Sequence, residues 1–201
     1  MLTARDYALL AQEAYTAAPD IGKADSASRA IVRETAAGLV VAFPGSDNLP
    51  CWIADLDAMP MEVPGMGSVH RGFYEAWGAI SVDVLAAIDG RPVTLVGHSL
   101  GGSIALIAAA CMAVGGNSPS AVYAFEPARV SYDMTLRILM RQIPLHLYRN
   151  GSDPVTDLPL GGVHPWFLTH IGKRAGILPV IADHLLPNVI AALPAAQTVT
   201  V

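Results

Sequence analysis

"VTLVGHSLGGSIALIAAA", residues Val93 to Ala110, sets a single serine, Ser99, between glycines at the point where a strand-like apolar run becomes a helix-like one. "PVTLVG" reads as a fully buried strand. The run after Ser99 is apolar on every side and closes at Gly115 and Gly116, which suits a helix buried against a covered sheet. A strand, the turn Gly97-His98-Ser99-Leu100-Gly101 and a helix are the setting of a nucleophile elbow. Such a turn holds its serine in a strained backbone conformation, and a Cβ at either glycine would strike the neighbouring strand or helix. It pushes the hydroxyl out at the carboxyl edge of the sheet and aims the first helical N–H groups at the same spot, where a developing oxyanion can be held. The competing reading is a serine that only caps the helix. The flanks, "VTLV" before and "GSIALIAAA" after, favour the elbow.

Outward from this stretch the chain alternates. A helix is expected from Thr3 to about Ala17, followed by strands at Arg29–Thr35 and Gly38–Phe43 joined by a short link, an antiparallel pair feeding a larger sheet. A Pro- and Gly-studded connection runs from Pro44 to Val69. An amphipathic helix over Phe73–Asp89 leads to the buried strand. Beyond the apolar helix come a strand "AVYAF", a helix "YDMTLRILMR", a strand "PLHLYR", an irregular stretch and a last helix from about Ala182 to Ala192. Alternation of strand and helix across the middle implies parallel strands with right-handed crossovers, an α/β architecture.

The 201 residues suffice for one sizeable core, so a single domain over residues 1–201 is expected. Apolar residues make up 53% and charged ones 14%, below the roughly 25% charged of an average soluble domain, which leaves apolar side chains at the surface and makes a lipid-like partner plausible. The formal net charge is −5 and no lysine or arginine run tracks a phosphate backbone, so nucleic acid is not an expected partner. Cys51 and Cys111 lack metal-like spacing and read as free thiols; neither a metal nor an organic cofactor is expected. "MLTARDYALLAQEAY" interrupts its apolar run with Arg5, Asp6 and Glu13, so no secretory leader is visible there. The greasiest stretch, Ile104 to Val114, is too short to span a bilayer, and a soluble protein is expected.

A serine hydroxyl needs a base, and the base an orienting carboxylate. In this architecture they follow in the order Ser, Asp or Glu, His. That order sets aside His70 and His98, read as buried packing or hydrogen-bonding residues. It leaves His146, His164, His170 and His184. His146 lies within "PLHLYR", with no suitable acid between it and the elbow. Asp153, directly after that strand in "RNGSDPVTDLP", is the preferred acid, with Asp157 its nearest rival.

"FPGSDNLPCWIADLDAMPMEVPGMGSVHRGFYEAW" (Phe43–Trp77), "GHSLGG" (Gly97–Gly102), "DPVTDLP" (Asp153–Pro159), "FLTHIG" (Phe167–Gly172) and "DHL" (Asp183–Leu185) together resemble, in order, the motifs of class 3 (fungal-type) lipases. The resemblance implies an α/β-hydrolase fold: a mostly parallel central sheet covered by helices on both faces, with a short lid segment. It implies Ser99 as nucleophile, Asp153 as orienting acid and His184 as base. It makes Ser46, through its backbone N–H and hydroxyl, and the Leu100 backbone N–H the oxyanion hole. Leu49, Trp52 and Ile53 would form the apolar face of the lid, which swings aside at a transient lipid interface. Asp55 reads as a turn or cap acid. The implied activity is carboxylic-ester hydrolysis through an acyl-enzyme, on acylglycerols or other lipid-like small-molecule esters. A binding module without turnover and a thioesterase or phospholipase are the alternatives. Two positions depart from the family: Pro44 stands where arginine is usual, and Glu126 where glycine is usual.

Overall fold

The computed structural model describes residues 2–48, 59–174 and 179–195. Helix α1 (Ala4–Thr16) starts on a reciprocal cap in which the Thr3 hydroxyl accepts from Asp6 N and the Asp6 carboxylate accepts from Thr3 N at 2.7 Å. Strands β1 (Ile21–Gly22), β2 (Arg29–Thr35) and β3 (Gly38–Phe43) follow, then a hairpin of β4 (Pro60–Val63) and β5 (Gly67–His70). Helices α2 (Arg71–Gly78) and α3 (Ser81–Ile88) lead to β6 (Val93–His98) and α4 (Leu100–Val114). The rest is β7 (Ala121–Phe125), α5 (Thr135–Leu139), β8 (Leu145–Asn150), β9 (Leu168–Ile171) and α6 (Leu186–Ala192).

Seven strands form one sheet in the order β1-β2-β3-β6-β7-β8-β9, antiparallel through β1, β2 and β3 and parallel from β3 to β9. Alternate side chains serve two separate apolar layers, as the strand period of two requires. Leu39, Val41, Phe43, Leu95, Val122 and Ala124 meet α2, α3 and α4 on one face. Val40, Ala42, Val96 and Phe125 meet α1 and α6 on the other. Every residue of α4 from Leu100 to Ala110 is buried, which explains a helix with no polar stripe. Each fully buried Leu or Ile there contributes roughly 1.5–3 kcal/mol of transfer free energy.

Several expected elements differ in extent. The single helix over Phe73–Asp89 is two, broken at Ile80, whose φ of −127° and ψ of −1° are not helical; the second ends on Asp89 in left-handed conformation. Helix "YDMTLRILMR" shrinks to Thr135–Leu139, because the Asp133 carboxylate takes the Ser68 and Thr135 N–H groups and shapes a turn before it. The last helix begins at Leu186 rather than Ala182. Residues Ile181–His184 form a separate 3₁₀ turn ahead of it, and Pro187 sits in the first turn of α6. The β4–β5 hairpin lies within what reads in sequence as an irregular connection. The expected lid residues Leu49, Trp52 and Ile53, with Cys51 and Asp55, fall outside the described residues. Among the described residues no helix is long and apolar enough to cross a membrane.

The tightest crossing in the fold is that of β6, α4 and β3. A Cβ at Gly97 would fall on the Gly101 carbonyl, and one at Gly101 would fall on the Phe43 and Pro44 carbonyls. These neighbours are backbone and cannot rotate away. Gly101→Ala is therefore expected to lower stability by about 1–3 kcal/mol, as overpacking of a filled site does. Urea unfolding checks this, and an unchanged midpoint would contradict it.

Candidate active site

Ser99 sits between β6 and α4 with φ 57° and ψ −125°, a left-handed conformation rare for a residue with a Cβ. Its N–H bonds to the Phe125 carbonyl at 2.9 Å, so the end of β7 holds the elbow from the side. No side-chain capping bond from Ser99 to α4 is made, which removes the reading of Ser99 as a simple helix cap. Its hydroxyl faces His184 instead, with Ser99 Oγ 2.9 Å from His184 Nε2.

His184 Nδ1 lies 3.0 Å from Asp153 Oδ2. The other Asp153 oxygen, Oδ1, accepts the Val155 N–H at 2.9 Å. Ser99, Asp153 and His184 are all buried, at 2%, 0% and 1% exposure, so these contacts operate away from bulk water. Burial opposes ionisation of Asp153, but hydrogen bonds led by that to His184 outweigh it and hold the carboxyl below its usual range. With Asp153 ionised, Nδ1 is the protonated ring nitrogen and Nε2 accepts from Ser99.

Two loops bring His184 and Asp153 together. Asp153 follows β8, as its sequence position suggested, and its N–H bonds back to the Asn150 carbonyl. The 3₁₀ turn carrying His184 is tied to that same strand end. Asp183 Oδ2 accepts the Ser152 N–H at 2.8 Å, and the Asp183 carbonyl accepts from Asn150 Nδ2 at 2.9 Å.

A further chain of bonds, which spacing does not reveal, fixes the site from the N-terminal side. Tyr15, at the end of α1, donates its hydroxyl proton to His98 Nδ1 at 2.7 Å, and His98 Nε2–H donates to the His184 carbonyl at 2.8 Å. Burial, followed by the neighbouring His184, pushes the His98 pKa down to about 3, so its ring is neutral. The carbonyl can only accept, which places the single ring proton on Nε2 and leaves Nδ1 for Tyr15. The Tyr15 oxygen also receives the Gly45 N–H. His98 is thus a buried hydrogen-bonding residue, as its sequence position implied, and Tyr15 is a connector that no motif marked.

Ser46 shares with Ser99 and His184 a cavity of about 340 Å³, walled on one side by Leu185, Leu186 and Pro187 and elsewhere by polar groups that include Gln12 and Thr16. The Ser46 hydroxyl oxygen accepts the Asn48 N–H at 3.2 Å, which leaves its proton free to donate elsewhere. Asp47 next to it is gripped by both oxygens, at 2.9 and 3.2 Å, by the buried Arg29 at the start of β2. Leu100 N is the first amide of α4, one of the donors that a helix leaves without an intrahelical partner.

The remaining candidates lie apart from this group. Asp157 binds Arg149 at 2.7 Å and Arg129 at 3.3 Å. His146 stacks on Tyr123, His70 stacks on Phe73, His164 bonds the Thr156 carbonyl and His170 is exposed. Among the described residues, the one convergence of metal-ligand types is Glu126, Asp153 and His184, and both nitrogens of that imidazole already face Asp153 and Ser99.

The comparisons define first the architecture. The structure of the Rhizomucor miehei lipase propeptide complex superposes with a TM-score of 0.69 over 89% of this chain and 77% of that one, at 22% identity, which shows the α/β-hydrolase fold. A family model described as Lipase (class 3) matches residues 40–162. The chain belongs to that class 3 lipase family. It is 33% identical over 133 residues to a secreted mono- and diacylglycerol lipase 1 of Fusarium solani, covering 60% of this chain and 39% of the relative. It is 28% identical over 153 residues to a secreted mono- and diacylglycerol lipase A of Penicillium cyclopium, covering 70% of this chain and 50% of the relative. The chain thus spans half or less of the length of both relatives.

The buried neutral His98 has a consequence for stability. An unfolded histidine takes up a proton near pH 6.5, whereas His98 in the folded chain does not until about pH 3. Acidification between these values therefore favours the unfolded state, by up to about 1.4 kcal/mol per pH unit for this residue. Relative to His98→Gln, which cannot titrate at that position, the parent's urea midpoint is expected to fall from pH 7 to 5, and a difference between the two proteins that does not change with pH would contradict the assignment.

Proposed function

We propose that this chain is a serine carboxylic-ester hydrolase in which Ser99, His184 and Asp153 form the catalytic triad. The observation that carries this reading is the pair of bonds at 2.9 and 3.0 Å that place one imidazole between a strained serine and a buried carboxylate. Membership of a lipase family supports it.

Ser99 Oγ attacks the ester carbonyl carbon while its proton passes to His184 Nε2. The resulting imidazolium is stabilised by Asp153, which keeps its negative charge. The carbonyl oxygen becomes an oxyanion held by the Ser46 N–H and hydroxyl and the Leu100 N–H. Collapse breaks the bond to the alcohol oxygen, which leaves with the proton from His184. A water then attacks the acyl-enzyme by the same steps and frees the acid and the serine.

The substrates in this reading are acylglycerols and other lipid-like esters. The names of the Fusarium and Penicillium relatives support mono- and diacylglycerols among them. Leu185 lines the cavity and is 50% exposed, and Ile181 on the same turn is 51% exposed, which gives the mouth an apolar rim suited to a transient lipid surface. The two ends of the described chain support one hydrolase domain over residues 1–201, since Arg5 on α1 donates to the Ile190 carbonyl of α6 at 2.7 Å.

A fluorophosphonate probe is expected to label the protein at Ser99, and Ser99→Ala to abolish labelling. On a soluble short-chain ester, Ser99→Ala or His184→Ala is expected to reduce kcat by about 10⁶-fold, the scale of losing a triad. Full turnover in either variant would overturn the reading. Ser46→Ala, which removes one oxyanion donor and keeps the amide, is expected to cost up to about 10²-fold in kcat with KM little changed. Steady-state kinetics on the same ester checks it, and an unaltered kcat would remove Ser46 Oγ from the mechanism.

A further inference from the structure

Glu126 directly follows β7 with φ 53°, a conformation in which glycine would be unstrained. Its side chain is fully buried. One oxygen, Oε1, accepts the Asn150 N–H. The other, Oε2, lies 3.8 Å from His184 Nδ1 and finds no hydrogen-bond donor among the described residues. The Nδ1 proton is already directed to Asp153 at 3.0 Å. An oxygen of Glu126 lies within 4.8 Å of an oxygen of the Asp153 carboxylate, an acceptor beside it in the same buried cluster.

We propose that Glu126 is a positioning residue for the triad: a neutral carboxylic acid whose Oε2–H donates to the Asp153 carboxylate and holds it against His184. The proposal rests on the reading of Ser99, His184 and Asp153 as a triad. Two ionised carboxylates side by side in a buried site repel one another, and a proton on one turns the clash into a hydrogen bond. The charged groups facing Glu126 decide which carboxyl holds that proton. Burial and then Asp153 raise the Glu126 pKa, whereas Asp153 is held low by His184, Glu126 and the Val155 N–H. The Arg149 guanidinium opposes the rise, but it is committed to Asp157 at 2.7 Å. His98, on the other side of His184, is neutral. The proton therefore resides on Glu126, and Asp153 remains the ionised partner of the imidazole.

Two substitutions separate this role from mere filling of space. Glu126→Gln keeps an oxygen for Asn150 and supplies an N–H to Asp153, so it mimics the protonated acid. Glu126→Gly suits the left-handed backbone and removes the donor. Ester hydrolysis by E126Q is expected to stay within about twofold of the parent, with an unmoved pH profile. E126G is expected to lose about tenfold or more in kcat/KM, the scale of one hydrogen bond to a charged group. Its acid limb should move to higher pH, because an Asp153 without its donor binds the imidazolium more strongly. In protein carrying ¹³C-carboxyl glutamate, the Glu126 resonance, assigned by its loss in E126Q, is expected to keep its protonated position from about pH 5 to 8. Titration of that resonance at an ordinary carboxylate pH, or equal damage in E126Q and E126G, would overturn the proposal. A parent protein that neither labels with fluorophosphonate nor turns over ester would refute the hydrolase reading instead, while the carboxyl resonance would still decide where the proton lies.

Discussion

The arrangement at the carboxyl edge of the sheet depends on how closely β6, α4 and β3 approach one another. Only hydrogen atoms fit at Gly97 and Gly101, because each faces peptide carbonyls of its neighbours. That closeness forces the chain to reverse within a few residues, and the reversal drives Ser99 into its left-handed conformation. The strain is supported by eleven consecutive buried residues of α4 and by the parallel ladders that lock β6 between β3 and β7. Packing of this strength can sustain a local cost of order 1–3 kcal/mol. Rigidity at Ser99 is thus a property of the core beneath it.

The imidazole is constrained differently. His184 lies on a short 3₁₀ turn with little regular structure of its own, and its position comes from bonds made by other segments. Its two ring nitrogens face Ser99 and Asp153, and its carbonyl receives His98 Nε2–H. The neighbouring Asp183 ties the same turn to Ser152 and Asn150. Three regions far apart in sequence therefore converge on one residue, His184: the end of α1 through Tyr15 and His98, the elbow at Ser99, and the end of β8. Bonds of this kind hold the His184 ring in a fixed orientation.

Local signals in the chain carried the elbow and most of the alternation of strands and helices around it. A turn that only glycine permits is written directly in the residue types at 97 and 101, and the apolar run of α4 announces its burial. Asp153 was readable because it follows a strand end, and the family resemblance singled out His184 among several histidines. The parts that were not legible are set by distant partners. The break at Ile80, the shortened helix around Asp133 and the 3₁₀ turn at Ile181–His184 depend on capping and packing that no short window contains. Tyr15 lies within the helix expected over Thr3–Ala17 with no motif to mark it, yet its hydroxyl reaches Gly45 and His98. Glu126 was visible only as a departure from the family, and its meaning required knowing that the side chain turns inward beside Asp153.

The backbone at Glu126 also bears on how such a site diverges. The left-handed backbone just after β7 accepts glycine without strain, so replacing Glu126 by glycine carries no conformational penalty at that residue. Two glycine codons, GGA and GGG, differ from the glutamate codons at one nucleotide. A buried carboxyl can therefore enter or leave this position in one mutational step, gaining or losing an acceptor for the Asn150 N–H.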